Sequence, residues 1–355
     1  MSFNFVQKEL GGISVINVTF MAGRIFQKVP GLSNLCHRKL YDGSINMDKK
    51  HFIHKPLSFG GQLSSGVNDL YASYSIRCMD QYLEKSAELL NELLFNTKFG
   101  SIENIKKIIK DENQCIKNDS FKILLDRMSP VLLDDSFDSL TSNDVQDFYN
   151  STYVNPAITV VSALGDAENM VMSKIDEKRK SYNVLETKGN LMSRNIEFKW
   201  NQFSNRIFIV FDLEHDDINE LISRSLGFKI NKQLRVDSNL AVRTNIKVVP
   251  RDVMMDSLIV SVEFTDIRNK DEIIHSVMNI MKRGCTKKEF DITKTQYIGD
   301  RIYSNLDPVK TAESMSQKDL RDFMKKDVED ICYEEYEMYL KDNFSMYDYH
   351  ILGHN

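Results

Sequence analysis

The stretch GISVINVTFMAGRIFQKVPGLSNLCHRKL, residues 12–40, decides how this 355-residue chain reads. Its first nine residues alternate and are rich in β-branched side chains, which predicts a strand over 12–20. Gly23, Pro30 and Gly31 follow. Behind them Asn34, Cys36, His37 and Arg38 crowd into one short run, where the chemistry of the segment is concentrated.

Outward from this stretch the pattern turns helical. Tyr82, Leu83, Ala87, Leu90, Leu93 and Leu94 fall at the spacing of an amphipathic helix. Ser101 offers an N-cap to a second helix, SIENIKKIIKDE, with Ile105, Ile108 and Ile109 expected on its buried face. A third helix begins within LTSNDVQDFYN, capped by Thr141 or Ser142. After Asn155-Pro156 comes a strand over 157–163, closed by Gly165-Asp166. The order recurs in the second half. SLTSNDVQDFY at 139–149 matches SMSQKDLRDFM at 314–324 at an offset of 175, keeping Ser, Asp, Asp and Phe. Strand 257–264 and helix 270–282 mirror 70–77 and 81–95, second helices start near Ser101 and Thr286, and SALGD and HILGH end the two copies. Two copies of one α/β unit account for both length and repeat. The expected boundaries are 1–176 for the first repeat, 177–195 for a polar linker and 196–355 for the second.

Composition narrows the function. Apolar residues make 42% of the chain and charged residues 27%, as in a globular protein that forms its own cores. No run approaches the ~18 apolar residues of a membrane span. The first twenty residues carry Lys8 and Glu9 where a secretory signal would be apolar. Five scattered cysteines, Cys36, Cys78, Cys115, Cys285 and Cys332, form no CxxC pair, which favours reduced thiols and a cytoplasmic setting. A net charge of −5 with mixed signs offers no basic surface for nucleic acid.

Three segments together resemble the M16 peptidases, the pitrilysin and mitochondrial processing peptidase family. NVTFMAGRIFQKVPGLSNL at 17–35 is similar to the strand, glycine turn and helix start that carry the family's zinc motif. GGQLSSGVNDLYASYSIRCMDQYLEKSAELLNELLFNTKF at 60–99 resembles its next strand pair and long helix, and DSLTSNDVQDFYNSTYVNPAITVVSALGD at 138–166 the end of its first repeat. The resemblance implies an α+β fold of two tandem repeats, each a mainly antiparallel sheet covered by helices.

It also implies a lost metal site. The family's motif is HxxEH, whose histidines at i and i+4 share a helical face and hold zinc while the glutamate activates the bound water. Here Asn34-Leu35-Cys36-His37-Arg38 stands in its place. Asn34 replaces the first ligand, His37 the general base and Arg38 the second ligand. Arginine keeps its proton and brings a fixed positive charge. Glu112, 74 residues beyond Arg38, matches the family's third ligand, and it either faces solvent or pairs with Arg38 as a salt bridge in place of a metal. The family further uses an Arg and a Tyr seven residues apart in the second repeat to hold the substrate carbonyl. Arg235 fits the first and Val242 stands where the phenol would be. Arg235 either serves a catalytic partner or is a surface arginine near a strand start.

Other clusters read as ordinary surface or core. His51 and His54 with His37 offer three nitrogens, but the pair is expected in a loop beside Lys49, Lys50 and Pro56. His215, among Glu214, Asp216 and Asp217, reads as a solvated acidic turn. Cys36 beside His37 is a poor nucleophile, because neighbours on a helix point about 100° apart.

The functional expectation is a chain that is not an enzyme on its own and carries no cofactor. It pairs with an HxxEH-bearing M16 homologue that brings the zinc, and shapes a chamber for a peptide substrate. Precursor or leader peptide processing, including bacteriocin maturation, is the narrower expectation from the resemblance. The alternatives are a structural scaffold like the core subunits of the respiratory bc1 complex, and a stand-alone peptide-binding homodimer.

Overall fold

The computed structural model describes residues 2–116, 136–175, 206–216, 218–250, 255–320, 328–344 and 350–352. The expected linker at 177–195 lies outside them. The chain divides into two compact units, one of Met1–Gly189 with Ser304–Asp322, the other of Asn190–Tyr303 with Phe323–Asn355.

The first unit is built on a five-stranded sheet. Its strands are β1 (Ser2–Gln7), β2 (Ile13–Phe20), β3 (Gln62–Val67), β4 (Ala72–Met79) and β5 (Ala157–Ser162), in the order β1-β5-β2-β4-β3. Only β1 and β5 run parallel. The helices are α1 (Leu32–Leu40), α2 (Lys49–Ser58), α3 (Leu83–Phe95), α4 (Glu103–Ile116), the single turn α5 (Ser136–Ser139), α6 (Ser142–Thr152) and α7 (Ala167–Met172). The strand expected at 12–20 is β2, and its alternation sends Ile16, Val18 and Phe20 into a core with Leu35, Cys36, Leu90, Val145 and Tyr153. Each such side chain contributes about 2 kcal/mol by leaving water. Thr141 caps α6 through a reciprocal capping box with Asp144.

The opposite face of that sheet is polar and is nevertheless buried. Asn17 donates to Ser75 Oγ at 2.8 Å, and Thr19 Oγ1 donates to Asn17 Oδ1 at 2.8 Å while meeting Ser73 Oγ at 2.9 Å. A helix from the far end of the sequence, Pro308–Leu320, lies over this face. Its Ser316 hydroxyl meets Thr159 Oγ1 at 2.8 Å, Glu313 accepts from Ser75 Oγ at 3.3 Å, and Ala312 packs with Val15 and Val161. This helix falls within 196–355 by sequence, yet it belongs to the first unit.

The second unit has an antiparallel sheet of β6 (Arg206–Glu214), β7 (Arg243–Pro250), β8 (Met255–Glu263) and β9 (His350–Leu352), in the order β7-β8-β6-β9. Helices α8 (Ile218–Asn231), α9 (Lys270–Arg283), α10 (Lys287–Ser304) and α12 (Tyr333–Phe344) accompany it; the helix Pro308–Leu320 of the first unit is α11. Leu221, Ile222, Ile273, Val277, Tyr336 and Leu340 close its core over Ile207, Ile209 and Phe211.

The repeat is real in its element order, but the match at an offset of 175 is corrected. α6 leads into β5 and α12 leads into β9, so these two helices correspond. The Cys332 N–H donates to Glu335 at 3.1 Å just as the Thr141 N–H donates to Asp144 at 2.7 Å. SMSQKDL belongs to α11, which packs as no counterpart of α6.

Candidate functional site

The site begins with the turn between β2 and α1. Gly23 sits where a Cβ would meet the Asp69 carbonyl oxygen at 2.3 Å, so only glycine lets this turn lie against the β3–β4 hairpin. The Gly23 and Arg24 N–H groups donate to Leu70 and Asn68, and Arg24 Nε donates to Asp69 at 2.9 Å. Gly31 then caps α1 with φ of 89°, a left-handed conformation. These constraints fix the helix that carries Asn34, His37 and Arg38.

Asn34 and Arg38 are four residues apart and share a face. Arg38 Nε donates to Asn34 Oδ1 at 3.1 Å. On α4, Ile105 and Ile109 are buried and Glu112 continues their stripe. Arg38 Nη2 reaches both Glu112 oxygens, at 2.9 and 2.7 Å. Asn34, Arg38 and Glu112 thus come together, and of the two readings of Glu112 the ion pair is formed. The pair is half-exposed, with 35% and 50% of the two side chains open to solvent, so its contribution to stability is about 1 kcal/mol or less. Ile108 departs from its expected burial. It is 43% exposed and lines the cavity instead of the core.

His37, between Asn34 and Arg38 on the helix, is buried. One ring nitrogen lies 2.8 Å from the Tyr74 hydroxyl and the other 3.1 Å from Ser65 Oγ. Burial, aided by the neighbouring Arg38 charge, pulls its pKa down from 6.5 to about 4, so the ring is neutral. Burial likewise pushes the Tyr41 phenol up to about 12, against an opposing hydrogen bond with Ser65. Tyr74 and Ser65 were not legible as site residues, since nothing in an alternating strand marks which hydroxyl will meet a histidine. Cys36 is fully buried in the core.

Over this face opens a cavity of about 530 Å³, lined by Arg24, Asn34, His37, Arg38, Lys49, Ser65 and Glu112 among others. Ser65, Gly66 and Val67 bring the edge strand β3 to its wall.

The remaining candidates fall elsewhere. His51 and His54 are on helix α2 and not in a loop, because Asp48 caps that helix by accepting from the His51 N–H at 3.1 Å. Both are exposed while His37 is buried. His215 is not in a solvated turn. The register of β6 on β8 brings it to buried Asp256, with Nδ1 and Oδ2 2.7 Å apart and Asn219 donating to the same oxygen at 3.1 Å. Among the described residues no group of three His, Cys, Asp or Glu stands close enough to hold a metal ion. Arg235 lies in the second unit, exposed on a π-helical turn, Lys232–Asp237, that extends α8 and not at a strand start. Val242, half exposed, precedes β7 and donates its N–H to Glu263 at 2.7 Å.

The class that this architecture defines is the fold of the M16 peptidases. The protease from Helicobacter pylori superposes with a TM-score of 0.80, at 14% identity over 96% of this chain and 93% of that one. A peptidase M16 inactive domain from Pseudomonas fluorescens gives 0.74 at 16% identity, over 98% and 94%. A chain of complex III2 from Candida albicans gives 0.75 at 12% identity, over 98% and 92%. At these identities the likeness is one of fold. No family model matches the sequence, and no curated protein matches it. No helix among the described residues is long and apolar enough to cross a membrane.

Proposed function

We propose that this chain is a non-catalytic subunit that pairs with a zinc-bearing, HxxEH-containing homologue and helps to enclose a peptide-binding chamber. The observation that carries the reading is the Arg38 clamp on Asn34 and Glu112, at the places where the resemblance expects two ligands and the third. These donors do not suit zinc. The guanidinium keeps its proton, both Glu112 oxygens are taken by it, and both His37 nitrogens are engaged with Tyr74 and Ser65. The inactive M16 domain among the similar structures fits such a role.

What the geometry offers a peptide is an edge. β3 ends the first sheet with Gln62, Ser64, Ser65 and Gly66 exposed, and it borders the cavity. An extended peptide pairing with that edge gains backbone hydrogen bonds without any metal. Processing of a precursor or leader peptide in the cytoplasm, such as bacteriocin maturation, is the substrate we favour. Arg235 is the residue proposed to reach the partner's substrate. The likeness to a chain of complex III2 favours a second reading, a scaffold without proteolysis.

Co-expression with an HxxEH-bearing homologue encoded nearby tests the proposal. A stable complex that cleaves peptides, while each chain alone does not, is the expected result. One zinc per chain and peptidase activity in this chain alone would overturn it. A complex that assembles and leaves every peptide intact would favour the scaffold.

A further inference from the structure

The cavity at Arg38 has an unbalanced set of polar groups. Three cationic side chains line it, Arg24, Arg38 and Lys49, against one carboxylate, Glu112. Arg38 Nη2 already holds both oxygens of that carboxylate. Arg38 uses Nε on Asn34, and its Nη1 donates to none of the described residues. Lys49 Nζ forms an ion pair with Asp42 at 3.9 Å, too long for a hydrogen bond, and donates to no acceptor among the described residues. Arg24 is engaged with Asp69. His37 adds no charge, since burial keeps it neutral. The walls between these donors are apolar, formed by Val67, Ile105, Ile108 and Ile109. In a chain of net charge −5 this concave surface presents two donors, Arg38 Nη1 and Lys49 Nζ, with no hydrogen bond to any described residue.

We propose that this cavity is a selectivity pocket for an anionic side chain of the bound peptide, an Asp or Glu, received by Arg38 Nη1 and Lys49 Nζ. The inference rests on the peptide-binding reading above and narrows its substrate class. A carboxylate entering beside β3 completes the guanidinium fork that Glu112 fills on one side only, so Arg38 bridges the protein carboxylate and the ligand carboxylate. Glu112 holds the guanidinium at a fixed orientation. It also imposes a limit, because its own charge repels an anion that approaches without the full set of donors. Neutral peptides leave both donors unmatched, and the discrimination arises from that deficit as much as from the hydrogen bonds an anion forms.

The test uses the full chain and two fluorescein-labelled peptides of about ten residues, built from Val, Thr and Ser and differing only in a central Glu or Gln. Fluorescence anisotropy should show the Glu peptide binding about fivefold to tenfold more tightly at low ionic strength, the size of one partly exposed charge-assisted hydrogen bond. High salt should erase the difference. The double substitution Arg38→Gln with Glu112→Gln removes the fork without leaving an unpaired charge, and should bring the two peptides to equal affinity. Lys49→Gln, on the exposed start of α2, should reduce the preference in part and guards against misfolding of the double variant. Equal binding of both peptides by the unaltered chain would overturn the anion pocket and leave the peptide-binding reading intact. A preference for Glu that survives both variants would place the anion elsewhere and also overturn it. Failure of both peptides to bind, alone and with the zinc-bearing partner present, would remove the peptide-binding reading and this inference with it.

Discussion

Acidification should unfold this chain partly through one residue, His37. Its ring is 9% exposed, wedged between Tyr74 and Ser65, and its pKa stands at about 4 instead of 6.5. Between these values the unfolded chain binds a proton that the folded chain refuses. Stability from this group is therefore fully present above pH 6.5 and is lost as pH falls toward 4. The gap corresponds to about 3 kcal/mol in the limit, of which about 2.5 kcal/mol is lost by about pH 4.5. Other groups titrate in the same range, so the measurement is a difference. Urea unfolding of the unaltered chain and of His37→Gln should diverge on moving from about pH 7.5 to about pH 4.5, the unaltered chain losing about 2.5 kcal/mol more. The seven histidines can be followed by NMR, and the signal absent from His37→Gln should titrate near pH 4. A His37 midpoint at or above 6.5 in the folded chain, or parallel pH curves for the two proteins, would refute the burial argument.

Three further substitutions probe other parts of the molecule. Gly23→Ala should cost about 3 kcal/mol, read from the shift in urea midpoint, because the new Cβ meets the backbone of Asp69 and Leu70 and no side chain can yield. Glu313, on the sheet-facing side of α11, is half-buried, and burial raises its pKa; the folded state thus favours its protonated form and is penalised as pH rises through the carboxylate range. Glu313→Gln keeps an acceptor for Ser75 and should raise the unfolding midpoint at neutral pH but not at acid pH. Arg235→Ala should shift stability by no more than about 0.5 kcal/mol, yet lower peptide turnover by the complex with a zinc-bearing partner. Full turnover per assembled complex would make Arg235 a surface residue.

The Arg38–Glu112 pair was open to anticipation because both residues sit on helices whose stripes the sequence displays. Asn34 and Arg38 are tied by helical spacing, and Ile105 and Ile109 aim Glu112 at the same place. The partners of His37 were not. Tyr74 and Ser65 come from neighbouring strands, and only their pairing register sets which hydroxyl faces α1.

By itself the sequence determined the local elements, since periodicity, caps and glycine positions act within a few residues. Thr141 had to cap α6, and GISVINVTF had to form a strand with Ile16, Val18 and Phe20 on one side. It also determined that the other side would be polar. What covers that side was decided only by the tertiary structure. A face of Asn17, Thr19, Ser73, Ser75 and Thr159 is satisfied equally by water or by the hydroxyls and carboxylate of a helix, and local pattern cannot tell the two apart. Here α11 arrives from nearly 300 residues downstream of β2 and buries it, with Ser316, Glu313 and Ala312 as the contacts. The same reason explains Ile108, which belongs to an apolar stripe by spacing and to a cavity wall by position. Spacing records what a face is made of, and the path of the whole chain decides what meets it.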